Sequence, residues 1–373
     1  MNNVRNSNHE IMRILSMFFI VLWHVILYGG VLTTTNENVK VLCRLMQFII
    51  VVHVNSFVLV SGYYQSKSKF KQSKVWQVIN SSWFYRVIIM AIFLITGIEE
   101  IGNVQIIKDI LPVTVDNYWF IKMYLLLYCL SPFLNKLIDS LDKKSFQKLL
   151  LVNFIIFSII PNITNGEFIF NNGYTLYNFI YLYLLGAYLR LYPLEKSYFF
   201  KIFSTNLFRI IMIIIFIFCV LIDNAIFYQG KQLSGINGVF DILSNTIEVN
   251  ILNYSNPIVI IQSIAYFSFF TTLTIKSKVI NKFSGLMLGV YFIHENDHLR
   301  SQLYTWLDIL NIPKNSALIL VEVIIMTVII FVGCSIVEFT RQQLFHLISK
   351  NKLFQKIRNN YYNWVKTIHI VNS

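Results

Sequence analysis

The sequence predicts an all-α, polytopic membrane protein with about ten transmembrane helices in one bundle. Three observations carry this reading. Hydrophobic residues make up 56% of the chain and charged residues 13%, roughly half the charged share of a soluble domain, and mean hydropathy is +0.60. The apolar residues fall into runs near the length of about 20 that a spanning helix needs. The basic residues recur between alternate runs: 31 Lys and Arg stand against 18 Asp and Glu, a net charge of +13. This composition excludes a soluble enzyme, a disordered chain and a fibrous repeat. The positive charge reads as loops facing anionic lipid, not as a nucleic-acid surface.

Ten runs are candidate spans: 11–30, 41–64, 77–98, 117–138, 147–163, 174–192, 207–228, 257–275, 283–299 and 315–340. The first could pass for a signal peptide, but His24 interrupts it and no small-residue cleavage site follows, so it reads as a retained helix. The second ends in VNSFVLVSGYY (54–64), where Asn55, Ser61 and Gly62 suit a cavity lining or close helix contact. The third carries Arg86, in WFYR. The fourth opens with NYWFIKMY (117–124), in which Tyr118, Trp119 and Tyr124 suit an interfacial aromatic belt, with Lys122 one turn inside. The fifth and ninth are short. A Gly- and Asn-bearing loop, 229–256, follows the seventh and is long enough for a lid or an interfacial helix. With ten spans, the lysine-rich loops around 67–74, 136–148, 190–201 and 276–282 and the basic tail all fall on the N-terminal side. Both termini then lie in the cytoplasm, at the plasma membrane. Residues 1–340 form the membrane domain and 341–373 a basic amphipathic tail along the inner surface. The four cysteines sit inside apolar runs without metal-ligand or disulfide spacing and read as small buried hydrophobes.

Ionisable residues inside a span are costly and therefore point to function. The first helix has two, Arg13 and His24, eleven residues apart. At 100° per residue they differ by only about 20° in direction and stand roughly 16 Å apart along the axis. Glu10 lies one turn before Arg13 on that face. A guanidinium near one surface suits donor phosphates, and a deep histidine suits proton abstraction from a hydroxyl. Arg86 reads as a second cation for the donor, and Lys122 as sharing the cavity of His24. The ninth run reads GVYFIHENDHLR (289–300), so His294, Glu295 and His298 match H-E-x-x-H, a zinc pattern. No third-ligand motif accompanies it; Asp308 and Glu322 are the nearest candidates.

Taken in order, these segments resemble the acyltransferase-3 family of membrane O-acyltransferases, in the branch found with bacterial surface-polysaccharide genes. The resemblance rests on Arg13 to His24, on VNSFVLVSGYY, on YWFIKMYLLLYCLSPFLNKLI (118–138) and on LGVYFIH (288–294), and it covers most of residues 5–340. It implies a ten-helix bundle with no bound cofactor. It implies acetyl-CoA or another acyl-CoA as the cytoplasmic donor, and a hydroxyl of a surface or lipid-linked polysaccharide as acceptor. Arg13 and His24 match the family's essential pair, Trp119 its tryptophan, and His294 with Glu295 its late block; Tyr118, Lys122, Asn55 and Ser61 join them as acceptor-side residues. This match turns the late His-Glu pair away from a metal. A basic R-x-x-R opens the third helix in many members; Arg86 stands at its second place, Trp83 at the first, and Lys74 can substitute from the preceding loop. The runner-up class, a flippase of lipid-linked oligosaccharide, would be equally basic inside but calls for internal repeats or helices broken in both halves, and the sequence displays neither. A membrane zinc protease is the third class.

Overall fold

The computed structural model describes residues 6–33, 36–111, 118–164, 171–233, 250–307, 318–350 and 360. Among them no strand occurs, and seven helices are long and apolar enough to cross a membrane. The first, α1 (Asn8–Tyr28), is followed by α2 (Glu37–Ile50) and α3 (His53–Gln65), which share one apolar stretch. Next come α4 (Gln72–Thr96), the short α5 (Asn103–Ile110) and α6 (Trp119–Ser140). Then α7 (Lys143–Phe154) runs on through a π-helical turn, Ile155–Ile159, into α8 (Ile160–Thr164). The second half holds α9 (Leu176–Leu191), α10 (Thr205–Leu233), α11 (Pro257–Thr271), α12 (Lys278–Ser284), α13 (Met287–His294), α14 (Asp297–Leu307) and α15 (Leu318–Ser349).

The ten expected spans divide unevenly. The sixth and eighth are α9 and α11, with 16 and 15 residues, so each is about 22–24 Å long against a hydrocarbon core of about 30 Å. The ninth is not one helix: it breaks after Ser284 and again at Glu295–Asn296 into α12, α13 and α14. The second tightens at Val51–Val52, where the His53 ring takes up the Ile50 carbonyl at 2.6 Å, but it stays helical and Glu37–Gln65 runs as one 29-residue span. The tenth runs on to Ser349, past the expected boundary at 340. The rest of the tail, apart from Lys350 and Asn360, and residues 234–249 of the long loop lie outside the described residues. Among the cysteines, Cys43, Cys219 and Cys334 are buried as expected, whereas Cys129 is exposed on the outer face of α6.

Local chemistry explains the irregular helices. Pro132 inside α6 has no N–H for the Tyr128 carbonyl, and the Ser131 hydroxyl donates to that carbonyl at 2.7 Å instead. Pro161 follows the π turn, which absorbs the hydrogen bond it cannot make. Asn256 caps α11 by accepting from the Ile258 N–H at 2.8 Å, with Pro257 in the first turn.

Among the described residues two large buried clusters form most of the core, alongside two small ones, and α1 lies between the large pair. Its residues Met17 to Ile26 pack with α4, α13 and α15, while Met12 on the other side joins α3, α6, α9 and α11. The α3–α9 crossing is backbone to backbone. A side chain at Gly62 would overlap the Tyr183 carbonyl, and one at Gly186 the Leu59 carbonyl, so the SGY segment serves close approach.

One end of the bundle collects the basic loops. Asn8 donates to the Phe270 carbonyl at 2.9 Å, Ser7 to the Ser277 carbonyl at 3.2 Å, Lys67 pairs with Asp139 at 3.3 Å, and the Lys143 ammonium sits over Tyr192 at 5.2 Å. Arg13 is near this basic end, and His24 is toward the opposite one.

Candidate active site

Toward the end opposite the basic loops, the helices leave a cavity of about 430 Å³. One turn of α1 supplies Trp23, His24, Leu27 and Tyr28; α3 supplies His53; α6 supplies Trp119 and Phe120; α13 supplies Tyr291, and the chain beyond it Glu295, Asp297 and Arg300. Tyr174 and Tyr254 complete the wall. Ring faces dominate: Trp119 stacks on Tyr254 with centroids 6.0 Å apart and meets Tyr174 edge-on at 4.4 Å. Arg300 bonds Glu295 at 3.3 Å and Asp297 at 3.2 Å, and its guanidinium lies 5.1 Å from the Tyr28 ring centre.

The protonation pattern of the two histidines follows from their partners. His294 Nδ1 lies 2.6 Å from the Val290 carbonyl. A carbonyl only accepts, so Nδ1 carries the proton and Nε2 of the neutral ring is bare. That bare nitrogen lies 3.1 Å from His24 Nδ1, which must therefore be the donor. The second nitrogen of neutral His24, Nε2, then holds a lone pair. Glu295 Oε1 stands 3.0 Å from the same Nδ1 but accepts no hydrogen bond; its role there is electrostatic. The tautomer of His24 is thus fixed from behind.

A second histidine was missed in the sequence. His53 donates from Nδ1 to the Ile50 carbonyl and accepts at Nε2 from the Tyr254 hydroxyl at 3.1 Å. The rule that flags ionisable residues in apolar runs would have found it, because it lies inside the second run. Tyr254 and Tyr174 left no such signal; they come from connecting segments.

The predicted residues are gathered only in part. His24, Glu295 and Trp119 line the cavity, and His294 stands directly behind His24. Asn55 sits behind the wall, donating to the Tyr254 carbonyl at 2.9 Å, and the Ser61 hydroxyl turns back onto the Phe57 carbonyl at 2.9 Å. Tyr118 does not reach the cavity; its hydroxyl clamps the Phe292 carbonyl at 2.8 Å. Lys122, expected beside His24, instead borders a separate small cavity with Arg86, Ser82 and Tyr118. Arg86 does not join Arg13. Its guanidinium is buried against the Asp109 carboxylate at 3.0 Å and the Lys108 carbonyl at 2.6 Å, both on α5. Lys74 is exposed in the first turn of α4, about 18 Å along the axis from Arg86. The H-E-x-x-H motif is split, since α13 ends at His294 and α14 starts at Asp297. His298 faces away, to Asp109 at 2.7 Å and Glu99 at 2.9 Å. Asp308 lies outside the described residues.

Near the basic end, Arg13 is held by Glu10 at 3.2 Å, and the Ser284 hydroxyl donates to the same carboxylate. Arg190, which the sequence reading passed over, covers the Tyr63 ring at 4.7 Å, beside His9 and Tyr64. Arg190 thus sits at the end of α3, and Arg13 beside Glu10 on α1. Between them and the cavity lies an aromatic layer: Phe120 stacks on Tyr124 at 6.2 Å and meets Phe57 at 6.1 Å and Tyr291 at 5.9 Å.

No curated protein and no solved structure matches the chain. A family model does: that of the acyltransferase domain known as Acyl_transf_3, over residues 6–338. The match spans α1 through most of α15 and includes Arg13, His24, His294 and Glu295, so this membrane protein belongs to the acyltransferase-3 family and is an acyltransferase.

Proposed function

We propose that the protein transfers an acetyl or other acyl group from cytoplasmic acyl-CoA to a hydroxyl of a surface or lipid-linked polysaccharide, with His24 as the general base. The observation that carries this is the lone pair on His24 Nε2 beside a cavity lined by ring faces, with His294 and Glu295 fixing the ring from behind. Sugars pack their C–H faces on aromatic rings, and Asp297 and Arg300 at the same wall offer partners for hydroxyls. The roughly 16 Å between Arg13 and His24 suits a donor with phosphates at one end and a reactive carbonyl at the other, as acyl-CoA has. Arg13 and Arg190 hold the phosphates at the basic end, taken as cytoplasmic from its lysines.

The chemistry balances simply. The acceptor hydroxyl attacks the thioester carbonyl as its proton passes to His24 Nε2. The tetrahedral intermediate collapses, the carbon–sulfur bond breaks, and the imidazolium returns the proton to the departing thiolate. Glu295 stabilises the imidazolium between these steps. Loss of His24 removes the base, and rate losses of about 10²–10⁴-fold are usual for such a group. Proton NMR of surface polysaccharide from wild-type, deleted and His24→Ala cells tests this. An acyl signal is expected in wild type alone, and identical spectra in all three would sink glycan acylation.

One observation favours a second reading, a flippase of lipid-linked oligosaccharide: the chain is broken beside the cavity at Glu295–Asn296. Pulse-labelling separates the two, because a flippase moves the glycan without adding an acyl mass.

A further inference from the structure

We propose that His24, His294 and Glu295 form a binding site for a divalent transition-metal ion of the zinc class, and that occupancy of this site switches acyl transfer off. The second half rests on the proposed role of His24; the first does not. The ligand atoms, His24 Nδ1, His294 Nε2 and Glu295 Oε1, lie within 4.8 Å of one another. Two of the three separations are 3.1 and 3.0 Å. Bonds of about 2.0–2.1 Å in a tetrahedral site place ligand atoms about 3.3 Å apart, so small adjustments seat an ion.

The surroundings match what metal ligands receive. His294 donates its other N–H to the Val290 carbonyl at 2.6 Å, which aims Nε2 into the cluster. Glu295 Oε2 is held by Arg300 at 3.3 Å, while Oε1 is buried without a hydrogen-bond partner. A buried carboxylate oxygen that lies 3.0 Å from an imidazole nitrogen without a well-aligned hydrogen bond is the kind of atom a cation satisfies. Arg300 also pairs with Asp297 at 3.2 Å, so its charge is balanced apart from Glu295. Two imidazoles and one carboxylate select zinc, cobalt or copper over magnesium or calcium. These ligands are not the H-E-x-x-H set: His298 is engaged by Asp109 and Glu99, and His24 takes its place from another helix.

Occupancy has a chemical consequence. A metal takes the lone pair at His24 Nδ1, so the neutral ring carries its proton on Nε2. That nitrogen can then no longer accept the acceptor's proton. No bond to substrate is made or broken; the base is held in the wrong tautomer.

The test uses the full chain in lipid nanodiscs, stripped with chelator and titrated with Co²⁺. One equivalent is expected to bind, with visible absorption of a four- or five-coordinate site, and Zn²⁺ displaces it. Glu295→Gln and His294→Gln are each expected to weaken Co²⁺ binding by at least about tenfold, and His298→Gln to leave it unchanged. Saturating Zn²⁺ is expected to stop acyl transfer, and chelator to restore it. Absence of saturable binding up to millimolar Co²⁺, or binding undiminished by both Gln variants, overturns the site. Binding that vanishes in those variants while transfer proceeds under saturating Zn²⁺ overturns the switch alone. A chain that binds Co²⁺ as expected but acylates nothing leaves the site standing and sinks the function it was meant to regulate.

Discussion

At the scale of residues, the candidates read from the sequence divide into those that the structure brings to one cavity wall and those that it seats elsewhere. Arg13 and His24 were legible because helical periodicity fixes direction, and one helix carries both. His294 and Glu295 were legible through the family's late block. Lys122 and Arg86 were misplaced because their partners come from elsewhere: Asp109 on α5, distant in sequence, takes Arg86. Nothing in WFYR announces that pairing. The same reassignment narrows the proposed donor site. With Arg86 engaged, Arg13 is the guanidinium on the helix of the proposed base, held by Glu10. Arg13→Lys is expected to raise KM for acyl-CoA severalfold with kcat little changed, because an ammonium cannot make bidentate phosphate contacts. An unaltered donor titration would remove Arg13 from that role.

At the scale of elements, the helices were legible from composition, yet their irregularities were not. Val51 and Val52 are ordinary apolar residues, and the turn there depends on the His53 ring satisfying Ile50 and on Tyr254 satisfying His53. Only tertiary contact reveals it. The short helices α5 and α14 were likewise invisible as a pair, although His298 ties them together. Both ring nitrogens of His298 face carboxylates, so the ring is held as an imidazolium. Its hydrogen bond with Asp109 is the main reason its pKa lies above the ordinary value, aided by Glu99 and opposed by burial. Burial pushes the Asp109 carboxyl up, but hydrogen bonds from His298 and Arg86 outweigh it and leave the pKa lowered. The signs set a window. A histidine raised on folding lends stability that is complete below about 6.5 and is lost as pH rises through the folded value. A depressed aspartate lends stability present above about 3.9 and lost as pH falls through its folded value. Hydrogen exchange at residues 103–110, corrected for intrinsic rate, is therefore expected to accelerate on the alkaline side in wild type. In His298→Gln it should be fast throughout; a flat wild-type profile would refute the clamp.

At the scale of the whole molecule, the bundle presents two unlike ends. The basic loops meet the N-terminus at one, and the cavity lies toward the other. In the proposed reaction, donor and acceptor approach from opposite sides. A flippase would instead open its cavity to each side in turn. Single cysteines in a background without native cysteines distinguish these. Leu27→Cys, at the cavity, is expected to react with an impermeant maleimide from outside only, and Lys67→Cys from the cytoplasm only, with or without donor. Labelling of Leu27→Cys from both sides would favour the flippase.

The layer formed by Phe57, Phe120 and Tyr291 bears on a different burden, that of the living membrane. Any conduit wide enough for a thioester arm is wide enough for hydrated ions, and an enzyme that kept one open would drain the gradients that power its host. In the proposed reaction a septum of rings between Tyr124 and His24 yields to a slender organic chain, whereas a hydrated ion meets mostly ring faces there. On this view the protein joins two compartments chemically while keeping them electrically insulated between turnovers.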